Sequence, residues 1–263
     1  MDDTFQVYIN RVARLTLPEA HRSQVQHIQS SPKFQPRPDG GFDPVPFPGY
    51  SVITPPWVED SENGIFYEQL QHLQQQVLDR LPARLLVPVP PESFHVTLAD
   101  LIWDSAYRHA AAKDPDFEQK LRDRIAAIFQ YYQPLVRTSK PALWQVLGLT
   151  VRARAVGVCL APKDETAYQQ VLMLRRGIYQ DHELIALGIE QQYHLTAHIT
   201  FGYFGQIDAE LDRESIGQML SDINHEWLEV DAAQSFCVHR AELRKFDDMT
   251  HYYREPGWAV LDF

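Results

Sequence analysis

The residues Phe94-His95-Val96-Thr97-Leu98 alternate apolar side chains with a histidine and a threonine. Successive side chains of a β-strand point to opposite faces, so the pattern predicts His95 and Thr97 on one face. The three apolar side chains would then share the opposite face and pack on the core. We therefore expect a strand with one buried face and one polar face.

A second stretch, residues 193–201 with the sequence YHLTAHITF, repeats this alternation. Read as a strand, it places His194, Thr196, His198 and Thr200 on one face and the apolar residues on the other. A buried hydroxyl or imidazole without a hydrogen-bond partner is destabilising by on the order of 1–3 kcal/mol. Such a face is therefore expected to line a water-filled cleft.

Two histidines on opposite sides of a cleft suit in-line displacement at phosphorus. An unperturbed imidazole titrates near pH ~6.5, so at neutral pH one ring can act as base and the other as acid. The threonine hydroxyls can donate hydrogen bonds to the non-bridging phosphate oxygens. We expect His95 and His198 to be catalytic and Thr97 and Thr200 to bind the substrate phosphate, without a cofactor or a metal, because no cluster of metal-ligating residues is evident.

Two His-x-Thr strands in separate halves of a chain resemble the signature of the two-histidine (2H) phosphoesterase superfamily, which includes the LigT-like RNA cyclic phosphodiesterases. The resemblance is strongest at residues 93–98 and 198–204 and extends from about Gly49 to the C-terminus. It implies a bilobal α+β fold and metal-independent hydrolysis of a cyclic or 2′-linked phosphodiester in a nucleotide or short RNA end. The Pro-Pro-Glu-Ser-Phe-His approach to the first motif indicates an uncharacterised branch of that superfamily.

The second motif has two overlapping candidates, because the residues around His194 mimic the first motif as well. The Phe-Gly-Tyr sequence that follows Thr200 resembles the superfamily pattern more closely and favours His198. At ~3.3 Å per strand residue, His194 would lie about 13 Å from His198, too far to share its role. We predict that His194, Thr196 and Tyr203 line the cleft.

The rest of the chain predicts strands and amphipathic helices in two similar halves, which favours an α+β fold with antiparallel sheets lining the cleft and helices outside. Apolar residues recur at helical spacing over residues 66–81, 117–132, 168–178 and 216–227. Strands are expected over residues 50–54, 236–243 and 258–263. The apolar runs between residues 143 and 160 fit either a hairpin or one long bent strand.

A Pro/Gly-rich passage at residues 34–41 follows polar helical fragments, and neither sustains a regular core element. We therefore predict a partly irregular N-terminal extension over residues 1–45 and a single bilobal 2H phosphoesterase-like domain over residues 46–263. The two cysteines, Cys159 and Cys237, lie in apolar runs without CxxC spacing and are expected to be buried free thiols.

The formal net charge of −11 argues against capture of extended nucleic acid, which needs a broad Lys/Arg surface. A small phosphodiester or nucleotide, short RNA included, remains compatible with a local basic pocket. The absence of a signal peptide pattern and of a long apolar run predicts a cytoplasmic protein without a membrane partner. The alternative function is a nucleotide- or phosphate-binding protein that uses the same cleft without catalysis.

Overall fold

The computed structural model describes residues 2–137, 141–229 and 235–263. The helices are α1 (Phe5–Arg14), α2 (Pro18–Val25), α3 (Gly64–Arg80), α4 (Asp104–Lys113), α5 (Phe117–Val136), α6 (Glu165–Tyr179), α7 (His182–Ala186) and α8 (Arg213–Leu228). The strands are β1 (Phe34–Pro36), β2 (Phe42–Pro44), β3 (Gly49–Ile53), β4 (Leu86–Pro88), β5 (Thr97–Trp103), β6 (Ala142–Val151), β7 (Ala155–Pro162), β8 (His198–Phe204), β9 (Ser235–Val238), β10 (Arg240–Phe246), β11 (Tyr252–Tyr253) and β12 (Val260–Asp262).

Two five-stranded sheets form the body of the protein. The first has the order β11-β10-β3-β5, with β12 also paired to β10, and the second has the order β4-β8-β7-β6-β9. Neighbouring strands in both sheets run antiparallel. The predicted α+β fold with two antiparallel sheets is confirmed, and β6 and β7 form the hairpin rather than one bent strand.

The predicted strand over residues 236–243 is wrong, because it is two strands that belong to different sheets. β9 ends at Val238 and pairs with β6, whereas β10 begins at Arg240 and pairs with β3. His239 lies between them, and its Nε2 is 3.1 Å from the Asp60 carboxylate. An apolar run cannot by itself show that the chain changes sheets within it. The chain thus links the two sheets at a single residue.

The helices cover the sheets with apolar stripes. In α3, Phe66, Leu70, Leu73 and Val77 are at most 2% exposed, as their three- and four-residue spacing predicts. The helix over residues 104–113 is not among the predicted elements. Its one buried side chain is Tyr107, so it carries no apolar stripe for a sequence pattern to detect.

The N-terminal residues are folded onto the second sheet. α1 contacts β7 and α6, and α2 contacts α8 and β6, while β1 and β2 form a small hairpin of their own. Tyr8 on α1 is fully buried; its hydroxyl donates to the Leu160 carbonyl at 2.9 Å and accepts from the Ala197 N–H at 3.1 Å. A division of the chain at residue 45 stays a prediction.

The two cysteines are free thiols, Cys159 buried and Cys237 half-buried. Across the described ranges, no helix combines the length and the apolar character that crossing a bilayer requires.

Replacing Tyr8 with Phe should lower the free energy of unfolding by about 1–3 kcal/mol, because it leaves the buried Ala197 N–H and Leu160 carbonyl without their partner. Urea denaturation measures the change. Tyr131→Phe is the matched control, since Tyr131 is 68% exposed. Equal unfolding free energies for the two variants would show that α1 is not anchored through this hydroxyl.

Candidate active site

A cleft of about 590 Å³ lies between the two sheets. Residues of β5 line one side and residues of β8 line the other. The predicted site residues all line it: His95, Thr97, His194, Thr196, His198, Thr200 and Tyr203. The fold therefore brings two segments that lie far apart in the chain to a single cavity.

Each motif histidine is held by the backbone in the same way. The Nδ1 atom of His95 is 2.7 Å from the Ser93 carbonyl oxygen, and the Nδ1 atom of His198 is 2.7 Å from the Thr196 carbonyl oxygen. A carbonyl oxygen only accepts, so each Nδ1 carries the proton and donates it. In the neutral ring this leaves Nε2 as an unprotonated base available to the cleft.

The strands begin later than the sequence pattern predicts. β5 starts at Thr97, so His95 lies just before it, after a 3₁₀ turn at Pro91–Ser93. β8 starts at His198, and the predicted strand is wrong for residues 193–197. Both histidines thus sit at or before the start of a strand.

Side chains from the N-terminal segment replace the missing strand pairing in residues 193–197. Asp2 accepts a hydrogen bond from the Leu195 N–H at 2.8 Å, and Arg11 donates to the Leu195 carbonyl. Tyr8 binds the Ala197 N–H. Because the backbone groups of this segment are satisfied by side chains, alternation in the sequence does not produce a strand there.

A bulge in β8 turns Tyr203 into the cleft. Thr200 pairs with Gly157 of β7 and Gly202 pairs with Val156, so Phe201 is an extra residue. The inserted residue shifts the two-residue alternation, which brings Tyr203 onto the same side as Thr200. Gly157 permits the close approach, since a Cβ there would lie 2.2 Å from the Ile199 carbonyl oxygen.

The buried side chain of Gln74 supports this bulge. Its amide donates to the Phe201 carbonyl at 2.7 Å and to the Val89 carbonyl at 2.8 Å. The Phe201 carbonyl thereby finds partners away from the β7 ladder, which the bulge denies it. Gln74, a polar residue on the apolar face of α3, thus stabilises the bulge that turns Tyr203 into the cleft.

Strand β5 also presents every third residue to the cleft. Its register with β3 shifts twice, and Thr97, Asp100 and Trp103 are the residues that line the cleft. Strict alternation would place Asp100 on the opposite face from Thr97. Asp100 is therefore a cleft residue that the sequence pattern does not reveal.

The two proposed phosphate-binding hydroxyls are open to a ligand. Among residues 2–137, 141–229 and 235–263, neither the Thr97 nor the Thr200 hydroxyl hydrogen-bonds to another protein group. Thr196 differs, because its hydroxyl accepts from an Arg11 guanidinium N–H at 2.7 Å. The Thr200 hydroxyl, two residues after His198, is thus free, whereas the Thr196 hydroxyl, two residues after His194, is occupied.

His194 lies at the mouth of the cleft rather than inside it. Its side chain is 60% exposed, and its Nδ1 atom is 3.4 Å from an Asp3 carboxylate oxygen. It lacks the backbone hydrogen bond that orients His95 and His198. The structure therefore brings His95 and His198 into equivalent settings and leaves His194 apart.

Burial shifts both catalytic candidates towards the neutral form. Removal from bulk water lowers the pKa of His95 to about 4, with the Arg244 charge adding to the effect. Burial and the Arg152 charge lower the pKa of His198 to about 3. The Nδ1 hydrogen bonds oppose these shifts but do not reverse them. Both rings are therefore neutral at pH 7.

Five charged residues that line the cleft are absent from the sequence-based site: Lys33, Asp100, Arg152, Arg154 and Arg175. Burial lowers the pKa of Lys33 to about 8 and raises the pKa of Asp100. Arg152 belongs to the charged turn between two apolar runs, and this turn was the feature of the sequence that could have identified it as a site residue. Lys33 lies in the segment predicted to be an extension, where no pattern pointed to the cleft.

Arg175 is a buried residue of α6, although a charged residue on an amphipathic helix is usually part of a solvated face. It is 4% exposed and donates to Asp2 at 2.9 Å, as well as to the carbonyl oxygens of Leu98 and Tyr193. These bonds tie the segment after Thr97 to the one before His198. The helical pattern alone could not show that this face is covered by the N-terminus.

Comparison with known proteins gives a likeness of fold. No family model matches the chain, and no curated protein matches its sequence. The crystal structure of ATU0111, a conserved protein of unknown function from Agrobacterium tumefaciens, is 16% identical with a TM-score of 0.58, covering 89% of this chain and 96% of that one. The chain therefore shares the fold of that protein.

Two further structures resemble the chain more remotely. A crystal structure titled only as a phosphoesterase is 17% identical with a TM-score of 0.42, covering 83% of this chain and 100% of that one. Escherichia coli LigT complexed with 3′-AMP is 17% identical with a TM-score of 0.39, covering 83% of this chain and 98% of that one. LigT bears the name of the family that the two motifs resemble, and at this identity the likeness says nothing of the reaction.

Within the described part of the chain, no group of three or more His, Cys, Asp or Glu side chains is arranged to hold a metal ion.

The lowered pKa values of the two half-buried cleft histidines should make stability fall with decreasing pH. Below pH ~6.5 the unfolded chain binds a proton at each histidine, while the folded rings stay neutral to about 4 for His95 and about 3 for His198. Protons thus favour the unfolded chain, and the free energy of unfolding should drop between pH 6.5 and pH 4.

Urea denaturation at a series of pH values measures this slope. The double variant His95→Gln/His198→Gln should show a smaller loss of stability than the wild type, whereas a variant of the exposed His72, His72→Gln, should keep the wild-type slope. An undiminished slope in the double variant would mean that the pKa values of these two rings are not lowered in the folded protein.

Proposed function

We propose that the protein is a metal-independent phosphoesterase that hydrolyses a cyclic or 2′-linked phosphodiester, in a nucleotide or a short RNA end, by acid–base catalysis with His95 and His198. The observation that carries this proposal is the equivalence of the two rings. Each comes from a different sheet, lines one cleft and offers Nε2 because a backbone carbonyl occupies Nδ1. Such a pair suits a reaction that removes one proton and supplies another.

In the proposed reaction, a water molecule attacks the phosphorus of a cyclic phosphodiester. One histidine accepts a proton from the water at Nε2 as the new P–O bond forms. The other, protonated histidine donates its Nε2 proton to the leaving oxygen as the old P–O bond breaks. The products are a phosphomonoester and a free hydroxyl, and the two histidines end with their protonation states exchanged.

We assign His198 as the base and His95 as the acid for this direction. The positive charge of Arg152 disfavours the protonated form of His198, and the Lys33 charge acts in the same sense. At His95 burial is the main cause of the lowered pKa, and the Arg244 charge is the smallest of the causes. His95 is therefore the ring whose protonated form a bound anionic phosphate stabilises more readily, with the proton taken up from water.

Thr97 and Thr200 are proposed to hold the non-bridging phosphate oxygens. Each follows its histidine by two residues, and each hydroxyl lacks a protein partner in the described ranges. Hydrogen bonds from preorganised donors gain strength as charge develops on these oxygens in the transition state. The free hydroxyl of Thr200, against the occupied hydroxyl of Thr196, supports His198 over His194 as the second catalytic residue.

The size and charge of the cleft support a compact anionic substrate. A volume of about 590 Å³ lies within the range of small-molecule sites. Lys33 and Arg152 place positive charge inside a protein whose formal net charge is −11. This contrast supports a nucleotide or short RNA end over extended nucleic acid.

The alternative of a non-catalytic nucleotide- or phosphate-binding protein is favoured by one observation. The pKa values of both histidines lie well below 7, so neither ring is by itself the protonated acid that the reaction requires at pH 7. Catalysis requires that the bound phosphate raise the pKa of one ring. A binding protein would not require it.

Replacing either histidine with Gln should lower kcat at least about 10²-fold on a 2′,3′-cyclic nucleotide, because each variant lacks one proton-transfer group. Turnover is measured by mass spectrometry of a panel of 2′,3′-cyclic nucleotides and short oligonucleotides, with chelator present. Thermal unfolding of His95→Gln and His198→Gln checks that the fold is intact.

The exposed His72→Gln variant serves as the neutral control, and His194→Gln tests the choice of motif. We expect His194→Gln to lower kcat less than about tenfold, because a residue at the cleft mouth does not transfer the proton. Wild-type turnover by His198→Gln would refute the mechanism. Binding without conversion for every ligand that binds would favour the alternative.

A further inference from the structure

One part of the cleft holds two cations that no carboxylate neutralises by contact. Lys33 and Arg152 both line the cavity, and within the described residues neither side chain forms a salt bridge. Both residues are half-buried, and charges that are partly removed from water are normally paired, because an unpaired one is destabilising. Their presence indicates that an anion completes this region.

The surroundings of Lys33 hold its ammonium group in place without neutralising it. Nζ lies 4.5 Å from the ring centre of Phe47 and 5.2 Å from that of Tyr203, and it is 3.1 Å from the Met249 sulfur. Ring faces and a thioether orient a cation but carry no formal negative charge. Lys33 therefore keeps its capacity to bind an anion.

Arg152 reaches the same place from the β6–β7 turn. Its backbone N–H donates to the Ala155 carbonyl at 2.9 Å, and Ala155 is the β7 residue that pairs with Tyr203. The Arg152 charge also lowers the pKa of Tyr203, although burial raises it more. Lys33 and Arg152 thus converge on Tyr203 from two separate segments of the chain.

Asp100 offsets this positive charge only weakly. It acts on both cations from beyond salt-bridge distance, and burial raises its own pKa, which favours the uncharged acid. The region therefore keeps a positive excess. Its two cations match a group with more than one negative charge.

The phosphate at the histidines does not supply that charge. A phosphodiester carries a single negative charge, and the free hydroxyls of Thr97 and Thr200 are placed to hold it. A phosphomonoester carries about −1.5 to −2 at pH 7. The charges of Lys33 and Arg152 also act on His198, so the two cations border the reacting phosphate and exceed the single negative charge that a phosphodiester supplies.

We infer that Lys33, Arg152 and Tyr203 form a second phosphate subsite, which selects substrates that carry a phosphomonoester in addition to the reacting phosphodiester. This inference rests on the proposed function and narrows its substrate class to nucleotides or RNA ends with an extra terminal phosphate. Lys33 gives the N-terminal segment a role in recognition. The tyrosine hydroxyl supplies a neutral donor beside the two cations.

Calorimetric titration with product-like ligands tests the subsite independently of turnover. The ligands are the 3′-monophosphates of the four ribonucleosides and the matching 3′,5′-bisphosphates, which differ only in the second phosphate. We expect the wild type to bind at least one bisphosphate about tenfold or more tightly than its monophosphate. Lys33→Met and Arg152→Gln should each reduce that ratio at least about tenfold, because each removes a charge-assisted contact.

Arg176→Gln is the matched charge control, since Arg176 is exposed and does not line the cleft. It should keep the wild-type ratio. Lys33→Gln is a second variant at the same position, and thermal unfolding establishes that each variant is folded.

The same ratio in wild type and in both cleft variants, or no preference for any bisphosphate, would overturn the subsite. Loss of affinity for both ligand classes in equal measure would also overturn it, by assigning the cations to the reacting phosphate. A bisphosphate preference in a protein that hydrolyses no cyclic nucleotide would refute the proposed function and leave the subsite in place.

Discussion

The hydrogen bond from each histidine Nδ1 to the carbonyl oxygen two residues earlier determines what the cleft can do. It selects one tautomer, points Nε2 away from the backbone and fixes the ring without a carboxylate partner. A neighbouring carboxylate would raise the histidine pKa, whereas a carbonyl and burial leave both rings neutral at pH 7. In the proposed mechanism a bound anion produces the acid, because it stabilises a protonated ring.

The rest of the fold places these two hydrogen bonds on opposite sides of one cavity. Each histidine precedes a free threonine hydroxyl by two residues, and a bulge beyond that threonine returns a third polar residue to the cleft, Asp100 on β5 and Tyr203 on β8. The N-terminal segment holds the approach to His198 through Tyr8 and adds Lys33 to the cavity wall. Both sheets and the first helix are therefore parts of one site.

The sequence predicted what depends on local periodicity. Alternation around His95 and His198 identified the two cleft walls, and helical spacing identified most helices. Prediction from the sequence failed where long-range contacts override the local pattern. The residues before His198 satisfy their backbone groups with Asp2 and Arg11 instead of a neighbouring strand. Asp100 faces the cleft because of a register shift between β5 and β3. Such a shift depends on the partner strand and cannot be seen in the alternation of polar and apolar residues.

The central claim is that both Nε2 atoms act on one phosphate. A crystal structure of the protein with orthovanadate, which mimics phosphate and its five-coordinate transition state, tests this directly. We expect one vanadate with oxygens about 3 Å from Nε2 of His95 and Nε2 of His198, and further oxygens within hydrogen-bond distance of the Thr97 and Thr200 hydroxyls. A vanadate bound to only one of the histidines, or outside their reach, would contradict it.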